Sequence, residues 1–375
     1  MYKHLYIYIN KLKNHTFLKL IHIKICGKKS FYNDIYKIKY IMLGVIIIII
    51  KEKLVMIRKI AILTSGGDAP GMNACLRACI RAGLYQGKEM YVVYDGLRGL
   101  VEGDIRQVNK DFTQDIINRG GTIIRSARIP EFKEEAVSKK AADNLRDFEI
   151  DALIGIGGDG TFRGLQALSK HGVICIGIPG TIDNDVGSTD ETIGFATALN
   201  TICDCVDKLK DTSGSHQRCS LIEVMGRHCG DLAMFAALAE GAEGVICVEH
   251  PLKKEVLFRK LRKMKAQNKS HAIIIVSENL LDINELAGEI AKETGFDTRT
   301  EVLGRLQRGG SPTAHDRILA ARFGARAIEI LCDKEPTSRI VGIKQNEIVD
   351  YPIDEAVEMK HRHTHGLRDL IDMLQ

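Results

Sequence analysis

Residues 153–161 read LIGIGGDGT, a short apolar run that ends in glycines, an aspartate and a threonine. The run has the length of a buried strand, and the helical pattern of residues 161–168 follows at once. Glycines between a strand and a helix let phosphate groups approach the amides at the helix N-terminus. Asp159 can hold Mg²⁺ beside those phosphates. The stretch therefore predicts a strand–loop–helix unit that binds nucleotide phosphates.

Two other apolar runs lead into loops of the same kind, TSGGDAPGMN at residues 64–73 and PGTIDND at residues 179–185. The first lacks the Gly-Lys-Ser/Thr of a P-loop, and is either a second phosphate loop or only a tight turn. In the second, one of Asp183 and Asp185 can accept a proton while the other orients a metal or a neighbour. Alone, this loop could be a solvated turn, because Asn and Asp are turn formers. Three such loops after three strands favour the catalytic interpretation.

Short apolar runs alternate with helical patterns along the rest of the chain. The predicted strands are 60–63, 91–94, 153–156, 174–178, 219–224, 245–248, 273–276 and the neighbourhood of Gly342. The predicted helices are 73–85, 161–168, 194–210, 230–239, 254–265, 283–294 and 312–330. This alternation indicates parallel sheets with helices on both faces, and ligands beyond the carboxyl ends of the strands. A length of 375 residues is sufficient for two packed lobes around one cleft.

The formal net charge of +5 is unevenly distributed. Residues 1–55 hold 11 Lys against Asp34 and Glu52, and the remainder has 42 basic and 46 acidic residues. The mildly acidic charge of residues 56–375 does not indicate nucleic-acid binding. Basic patches are therefore expected to be local phosphate sites. The 10 Cys form no Cys-x-x-Cys pair, which predicts reduced core thiols in a cytoplasmic protein rather than metal ligands or disulfides.

Residues 1–55 differ in composition from the rest of the chain. Their apolar run, residues 40–50, is about half the length of a membrane-spanning helix, which needs about 20 residues. A signal peptide would place its apolar core nearer the N-terminus. We therefore expect an atypical extension that is disordered or absent from the native protein, with translation beginning at Met56, and no membrane association.

The motifs TSGGDAPGMN, GGDGT, PGTIDND, MGR and QRGGSP occur in this order and closely resemble the bacterial-type ATP-dependent 6-phosphofructokinases, the phosphofructokinase A family. The resemblance covers residue 56 to the C-terminus. It implies a cytoplasmic homotetramer that phosphorylates fructose 6-phosphate with MgATP. It also implies an α/β fold of two three-layer lobes, with mainly parallel sheets covered by helices and the active site in the cleft. The larger, ATP-binding lobe would comprise 56–194 plus 307–357, and the smaller, sugar-phosphate lobe 195–306 plus 358–375.

The resemblance also implies roles for individual residues. Asp183 would be the base for the 1-hydroxyl, and Asp159 would bind Mg²⁺. The catalytic set would be Asp183, Thr181, Asp185, Arg128 and Arg227. The ATP contacts would be Gly66, Gly67, Arg128, Gly158, Asp159, Gly160 and Thr161. The sugar-phosphate contacts would be Thr181, Ile182, Asp183, Arg218, Met225, Gly226, Arg227, Glu278, Arg299, Arg305, Leu306, Gln307 and Arg308. Of these, Arg218 and Arg299 resemble the pair that reaches the 6-phosphate from a neighbouring subunit.

An effector site for ADP or phosphoenolpyruvate is implied in the same way. Its residues would be Arg77, Arg81, Lys110, Asp115, Lys210, Glu243 and Lys269. Two of these depart from the family pattern, because Lys110 and Lys210 stand where Arg is common and lack its bidentate fork. A third departure is Arg305, at a position that is often His in the family.

Three other functions compete with this one. Pyrophosphate-dependent relatives typically have Asp and Lys where this chain has Gly160 and Gly180, so the two glycines favour ATP. Lipid and NAD kinases share Gly-Gly-Asp-Gly but not PGTIDND or QRGGSP. A non-catalytic sugar-phosphate sensor would not need both Asp159 and Asp183.

Overall fold

The computed structural model describes residues 57–361 and 366–374, so the expectations for residues 1–55 lie outside the described residues. The strands are β1 Lys59–Thr64, β2 Glu89–Val93, β3 Ile105–Val108, β4 Ala152–Gly157, β5 Ile174–Thr181, β6 Ile193–Gly194, β7 Arg218–Val224, β8 Gly244–Ile246, β9 Ala272–Ser277, β10 Asp297–Val302, β11 Arg339–Lys344 and β12 Glu347–Pro352. The helices are α1 Met72–Tyr85, α2 Gly96–Glu102, α3 Glu135–Asp147, α4 Asp159–Lys170, α5 Phe195–His216, α6 Asp231–Glu240, α7 Lys254–Ala266, α8 Ile283–Thr294, α9 Ala314–Leu331, α10 Ile353–Ala356 and α11 Leu367–Leu374.

The larger sheet has the order β12-β11-β5-β4-β1-β2-β3, with β6 paired to β5. Its central strands β1, β4 and β5 are parallel neighbours, and antiparallel partners close both ends. Alternate residues of β1 enter different apolar clusters, with Ile60 and Ile62 in one and Ala61 and Leu63 in the other. Because successive side chains point to opposite faces of a sheet, both faces are covered. This explains why the central strands are continuous apolar runs.

The smaller sheet has the order β10-β7-β9-β8 and is parallel throughout. Strand β9 divides its side chains in the same way, with Ile273 and Ile275 in one cluster and Ile274 and Val276 in another. Two helix-covered, mainly parallel sheets confirm the predicted α/β fold class. The boundaries of the two lobes stay a prediction.

Several elements differ from the sequence prediction. Strands β3, β6, β10 and β12 were missed, and so were helices α2, α3, α10 and α11. Helix α5 does not end at Lys210 but continues to His216, where Gln217 takes a left-handed conformation with φ 56°. The nine cysteines in the described ranges are free thiols, most of them buried, and Cys26 lies outside those ranges. Within residues 57–361 and 366–374, no helix combines the length and apolarity needed to cross a membrane.

Candidate active site

The loops that follow β1, β4 and β5 meet at one edge of the larger sheet, because these three strands are parallel neighbours. They line a cavity of about 720 Å³. Residues at the ends of β7 and β9 in the smaller sheet complete the wall, together with Arg308 and the segment 128–133. The cavity therefore takes its lining from both sheets.

Hydrogen bonds connect the loop after β1 to β4 and the loop that follows it. The hydroxyl of Thr161 donates to the carbonyl of Ser65 at 3.1 Å, and the Ser65 amide donates to the carbonyl of Ile156 at 3.0 Å. A Cβ on Gly157 would lie 2.5 Å from the Ser65 carbonyl oxygen, so only glycine permits this approach. Helix α4 begins at Asp159 and its N-terminus borders the cavity, which favours an anion there.

Gly67 and Gly160 on these loops have different surroundings. A Cβ on Gly67 would meet the guanidinium of Arg308, whereas a Cβ on Gly160 would have no atom within 4 Å. The Arg308 guanidinium also donates to the carbonyl of Asp68 at 3.3 Å. The lack of a side chain at Gly67 thus makes room for the Arg308 guanidinium. The lack of one at Gly160 leaves open space for a ligand.

Asp183 belongs to this lining. Its side chain is buried, and its Oδ1 accepts no hydrogen bond from any residue within the described ranges. Burial, followed by repulsion from the Asp185 carboxylate, raises the pKa of Asp183 to about 6, against the attraction of Arg308 and Arg227. A carboxylate with a pKa near neutrality and a free acceptor oxygen is suited to take a proton from a bound hydroxyl.

The loop around Asp183 is held by Asn184, whose φ of 52° is left-handed. The Asn184 side-chain amide donates to Asp231 Oδ2 at 2.8 Å, and its oxygen accepts from the Thr192 amide at 3.0 Å. Both neighbours of Asn184 in the chain, Asp183 and Asp185, line the cavity. The fixed turn therefore places two carboxylates at one wall.

Asp185 and Asp159 form an acidic pair. Burial raises the pKa of Asp185, and the negative charge of the Asp159 carboxylate raises it further. Oxygen ligands of this kind suit Mg²⁺. Arg163, one helical turn after Asp159, contacts its carboxylate at 3.2 Å.

The smaller sheet contributes Met225, Arg227 and Glu278. The Met225 amide donates to Gln307 Oε1 at 3.1 Å, and the Arg227 amide donates to Glu278 Oε1 at 3.0 Å. The left-handed φ of Arg227, 58°, turns the chain at this point. Gln307 is itself fully buried, so its contribution is to position Met225.

The structure collects all the predicted catalytic and ATP-binding residues in this cavity, and about half of the predicted sugar-phosphate residues. Ile182, Gly226 and Gln307 are buried outside the lining, and Arg305 and Leu306 are exposed. Arg218 and Arg299 line another cavity, of about 580 Å³, where both contact Asp297. The prediction that these two arginines act across a subunit boundary stays a prediction.

The predicted effector residues form two groups on different elements. Arg81 Nε donates to the Thr113 hydroxyl at 2.9 Å, which donates to the carbonyl of Lys110 at 2.7 Å. Burial, and then repulsion from Arg81, lowers the pKa of Arg77. In the other group, Lys269 Nζ lies 2.5 Å from Glu243 Oε1, and Lys210 pairs with Glu240.

Sequence reasoning missed Lys133, Arg163 and Phe132, which also line the cavity. Arg163 could have been found, because a residue four positions after Asp159 on a helix faces the same side. Lys133 and Phe132 lie in a short 3₁₀ segment between motifs, where no periodic pattern marks them.

Comparison with known proteins identifies the family. The family model described as Phosphofructokinase matches residues 59–331, most of the chain. The chain belongs to the phosphofructokinase family.

Similar proteins include two with the activity in their names. ATP-dependent 6-phosphofructokinase 1 of Clostridium perfringens is 50% identical over 317 residues, covering 84% of this chain and 99% of that protein. ATP-dependent 6-phosphofructokinase of Aliivibrio fischeri is 52% identical over 307 residues, covering 82% and 96%. The solved phosphofructokinase of Saccharomyces cerevisiae is 34% identical with a TM-score of 0.74. The match covers 84% of this chain, which spans about half of that yeast chain, 47%.

Proposed function

We propose that the protein is an ATP-dependent 6-phosphofructokinase. It transfers the γ-phosphoryl group of MgATP to the 1-hydroxyl of fructose 6-phosphate, giving fructose 1,6-bisphosphate and ADP, the committed step of glycolysis. The names of the similar bacterial proteins support this activity. The larger, ATP-binding lobe supplies the phosphate loops, and the smaller lobe supplies residues for the sugar.

The observation that carries the proposal is the buried, unpartnered Oδ1 of Asp183, on a carboxylate with a pKa of about 6. An unsatisfied buried acceptor has a free-energy cost that a bound hydroxyl would remove. The 1-hydroxyl donates to this oxygen, and Asp183 takes its proton as the hydroxyl oxygen attacks the γ-phosphorus. Phosphoryl transfer otherwise needs positioning and charge neutralisation, which Arg128, Arg227 and Arg308 supply around the same cavity.

ATP lies along the loops at Gly66, Gly67 and Gly158–Thr161, with its phosphates toward the N-terminus of α4. Asp159 and Asp185 fit Mg²⁺, because both carboxylates line the cavity and the charge of Asp159 raises the pKa of Asp185, a repulsion that a cation would offset. The ion, when bound, neutralises phosphate charge. The open space beside Gly160 accommodates a nucleotide, in agreement with ATP rather than pyrophosphate as donor.

The sugar phosphate contacts Met225, Arg227, Glu278 and Arg308, while Arg218 and Arg299 of a neighbouring subunit reach its 6-phosphate. The separate cavity that these two arginines line supports this arrangement. It requires an oligomer, which we propose to be a homotetramer in the cytoplasm. The effector, ADP or phosphoenolpyruvate, binds at a site formed by Arg77, Arg81, Lys110, Asp115, Lys210, Glu243 and Lys269.

The test is a coupled assay for fructose 1,6-bisphosphate with the full chain, supplied with ATP or pyrophosphate in parallel. Magnesium-dependent turnover with ATP alone is the expected result. Turnover with pyrophosphate alone would overturn the assignment of the donor. Folded protein that binds fructose 6-phosphate but turns over neither donor would overturn the proposed catalysis.

A further inference from the structure

Three potential metal ligands meet beside the active site, outside the lining of its cavity. They are Cys229 after β7, Asp231 at the first position of α6, and His361, which is 130 residues further along the chain. His361 Nε2 lies 3.3 Å from Cys229 Sγ and 3.1 Å from Asp231 Oδ1. All three donor atoms lie within 4.8 Å of one another.

The two separations that His361 Nε2 makes, 3.3 Å and 3.1 Å, are close to those between ligand atoms around a tetrahedral zinc ion. With Zn–S of about 2.3 Å and Zn–N and Zn–O of about 2.0 Å, pairs of ligand atoms lie about 3.3 to 3.6 Å apart. The remaining pair, Cys229 Sγ and Asp231 Oδ1, lies within 4.8 Å, so side-chain rotation would bring the three atoms around one ion. Mixed sulfur, nitrogen and oxygen donors favour zinc over the harder Mg²⁺ and Ca²⁺.

The surroundings of the three ligands are acidic. Between Cys229 and Asp231 in the chain, the Gly230 amide donates to Glu249 Oε1 at 3.0 Å, so a second carboxylate lies beside the ligands. Asp231 is fully buried, and the side chain of His361 is 15% exposed, which leaves a path from solvent. A divalent cation would offset the repulsion among these carboxylates, and would stabilise the thiolate form of Cys229.

We propose that Cys229 Sγ, Asp231 Oδ1 and His361 Nε2 bind a zinc ion, with a water molecule as the fourth ligand. The site differs from the Mg²⁺ site at Asp159 in its donors and position. It also differs from the sequence expectation that no cysteine is a metal ligand. That expectation rested on the lack of a Cys-x-x-Cys pair, and a site assembled from distant segments leaves no such spacing.

The site is connected to the catalytic loop through Asp231. While Oδ1 faces the proposed ion, Oδ2 accepts the hydrogen bond from Asn184, which lies between Asp183 and Asp185. A metal on Asp231 would fix this carboxylate from its other side. Zinc would then stabilise the turn that presents both catalytic-loop carboxylates.

The test uses the full chain, freed of metal with a chelator and titrated with Zn²⁺ by calorimetry and with Co²⁺ by absorption spectroscopy. We expect one strong equivalent per chain, and cobalt spectra with a thiolate charge-transfer band and intense four-coordinate visible bands. Cys229→Ser should remove the charge-transfer band. His361→Gln, at a partly exposed position where folding should be preserved, should weaken zinc binding at least tenfold.

Two control variants test whether other cysteine or histidine residues bind the metal. Cys332→Ser changes an exposed thiol, and the double variant His363→Ala, His365→Ala changes histidines near His361 in the sequence. Both should keep the single equivalent and the cobalt bands. Absence of a strong equivalent in the unaltered chain, or a band that survives Cys229→Ser, would overturn the proposal. Loss of the band in either control would also overturn it.

Discussion

The guanidinium of Arg308 occupies the space where a side chain at position 67 would begin. A Cβ on Gly67 would fall 2.1 Å from Nη1 of Arg308. Two residues 241 positions apart in the chain are thus matched in size, because residue 67 carries no side chain where Arg308 crosses its loop.

Gly67→Ala should displace Arg308 and raise the KM for fructose 6-phosphate about tenfold, the loss of one charge-assisted contact of about 1.4 kcal/mol. The free energy of unfolding should change by less than about 1 kcal/mol, because the clashing group is the end of a flexible side chain. Gly214→Ala, in the last turn of α5 with ordinary contact distances, is the matched control and should keep the KM. An unchanged KM in Gly67→Ala would remove Arg308 from the sugar site.

Asp183→Asn should lower kcat by about 10² to 10⁴-fold, the usual contribution of a general base, while fructose 6-phosphate still binds. Steady-state rates and equilibrium binding of the sugar phosphate measure the two effects separately. Near-normal kcat in a folded variant would show that another group accepts the proton.

The same substitution should increase stability at high pH. Below pH 3.8, Asp183 is protonated in both folded and unfolded chains and carries no penalty. Between pH 3.8 and about 6 the unfolded chain ionises while the folded protein keeps the proton, so the folded protein loses stability relative to the variant, and the loss is complete above about pH 6. Urea unfolding should show no difference near pH 3, and an advantage of about 2 to 3 kcal/mol for Asp183→Asn at pH 8. An advantage independent of pH would contradict the raised pKa.

The rate of the unaltered enzyme should fall with acid. Because only the ionised form of Asp183 accepts a proton, log kcat/KM should decline with a slope of one below a pKa near 6. The residual activity of Asp183→Asn should lack this step. The profile of a folded wild-type enzyme that stays level down to pH 4.5 would be inconsistent with this base.

Asn184→Ala should destabilise the protein by about 3 kcal/mol. Asp231 Oδ2 would lose its donor inside the protein, and alanine would have to adopt a left-handed φ of 52°. Asn184→Gly separates the two causes, since glycine accepts this φ and should recover about 1 kcal/mol. If both variants lose the same free energy of unfolding, the whole effect comes from the lost hydrogen bonds.

Sequence reasoning identified the central strands because they are buried on both faces. Such a strand has successive apolar residues, and this run is visible in the sequence. Strand β10 was missed for the opposite reason. It is the outer strand of the smaller sheet, its residues are mostly half-exposed or exposed, and its sequence DTRTEV shows no apolar run. Its identity as a strand depends on pairing with β7, which only the assembled fold reveals.

The candidate site was predictable where chemistry follows a strand, as at Asp159 and Asp183. It was not predictable where tertiary packing decides. Gln307 is buried and accepts a hydrogen bond from the Met225 amide, which no sequence pattern indicates, and its expected contact with the sugar phosphate stays a prediction. The pKa of Asp183 also depends on burial and on Arg227 and Arg308, which come from distant parts of the chain.

Because the cavity wall comes from both sheets, a ligand that contacts Gly66 on one side and Arg227 on the other links the two sheets. Each sheet alone offers only half of the contacts, so a bound substrate ties the stability of one to that of the other. Saturation with ligand would then make the two sheets unfold together, even under conditions in which the ligand-free protein unfolds at one sheet first.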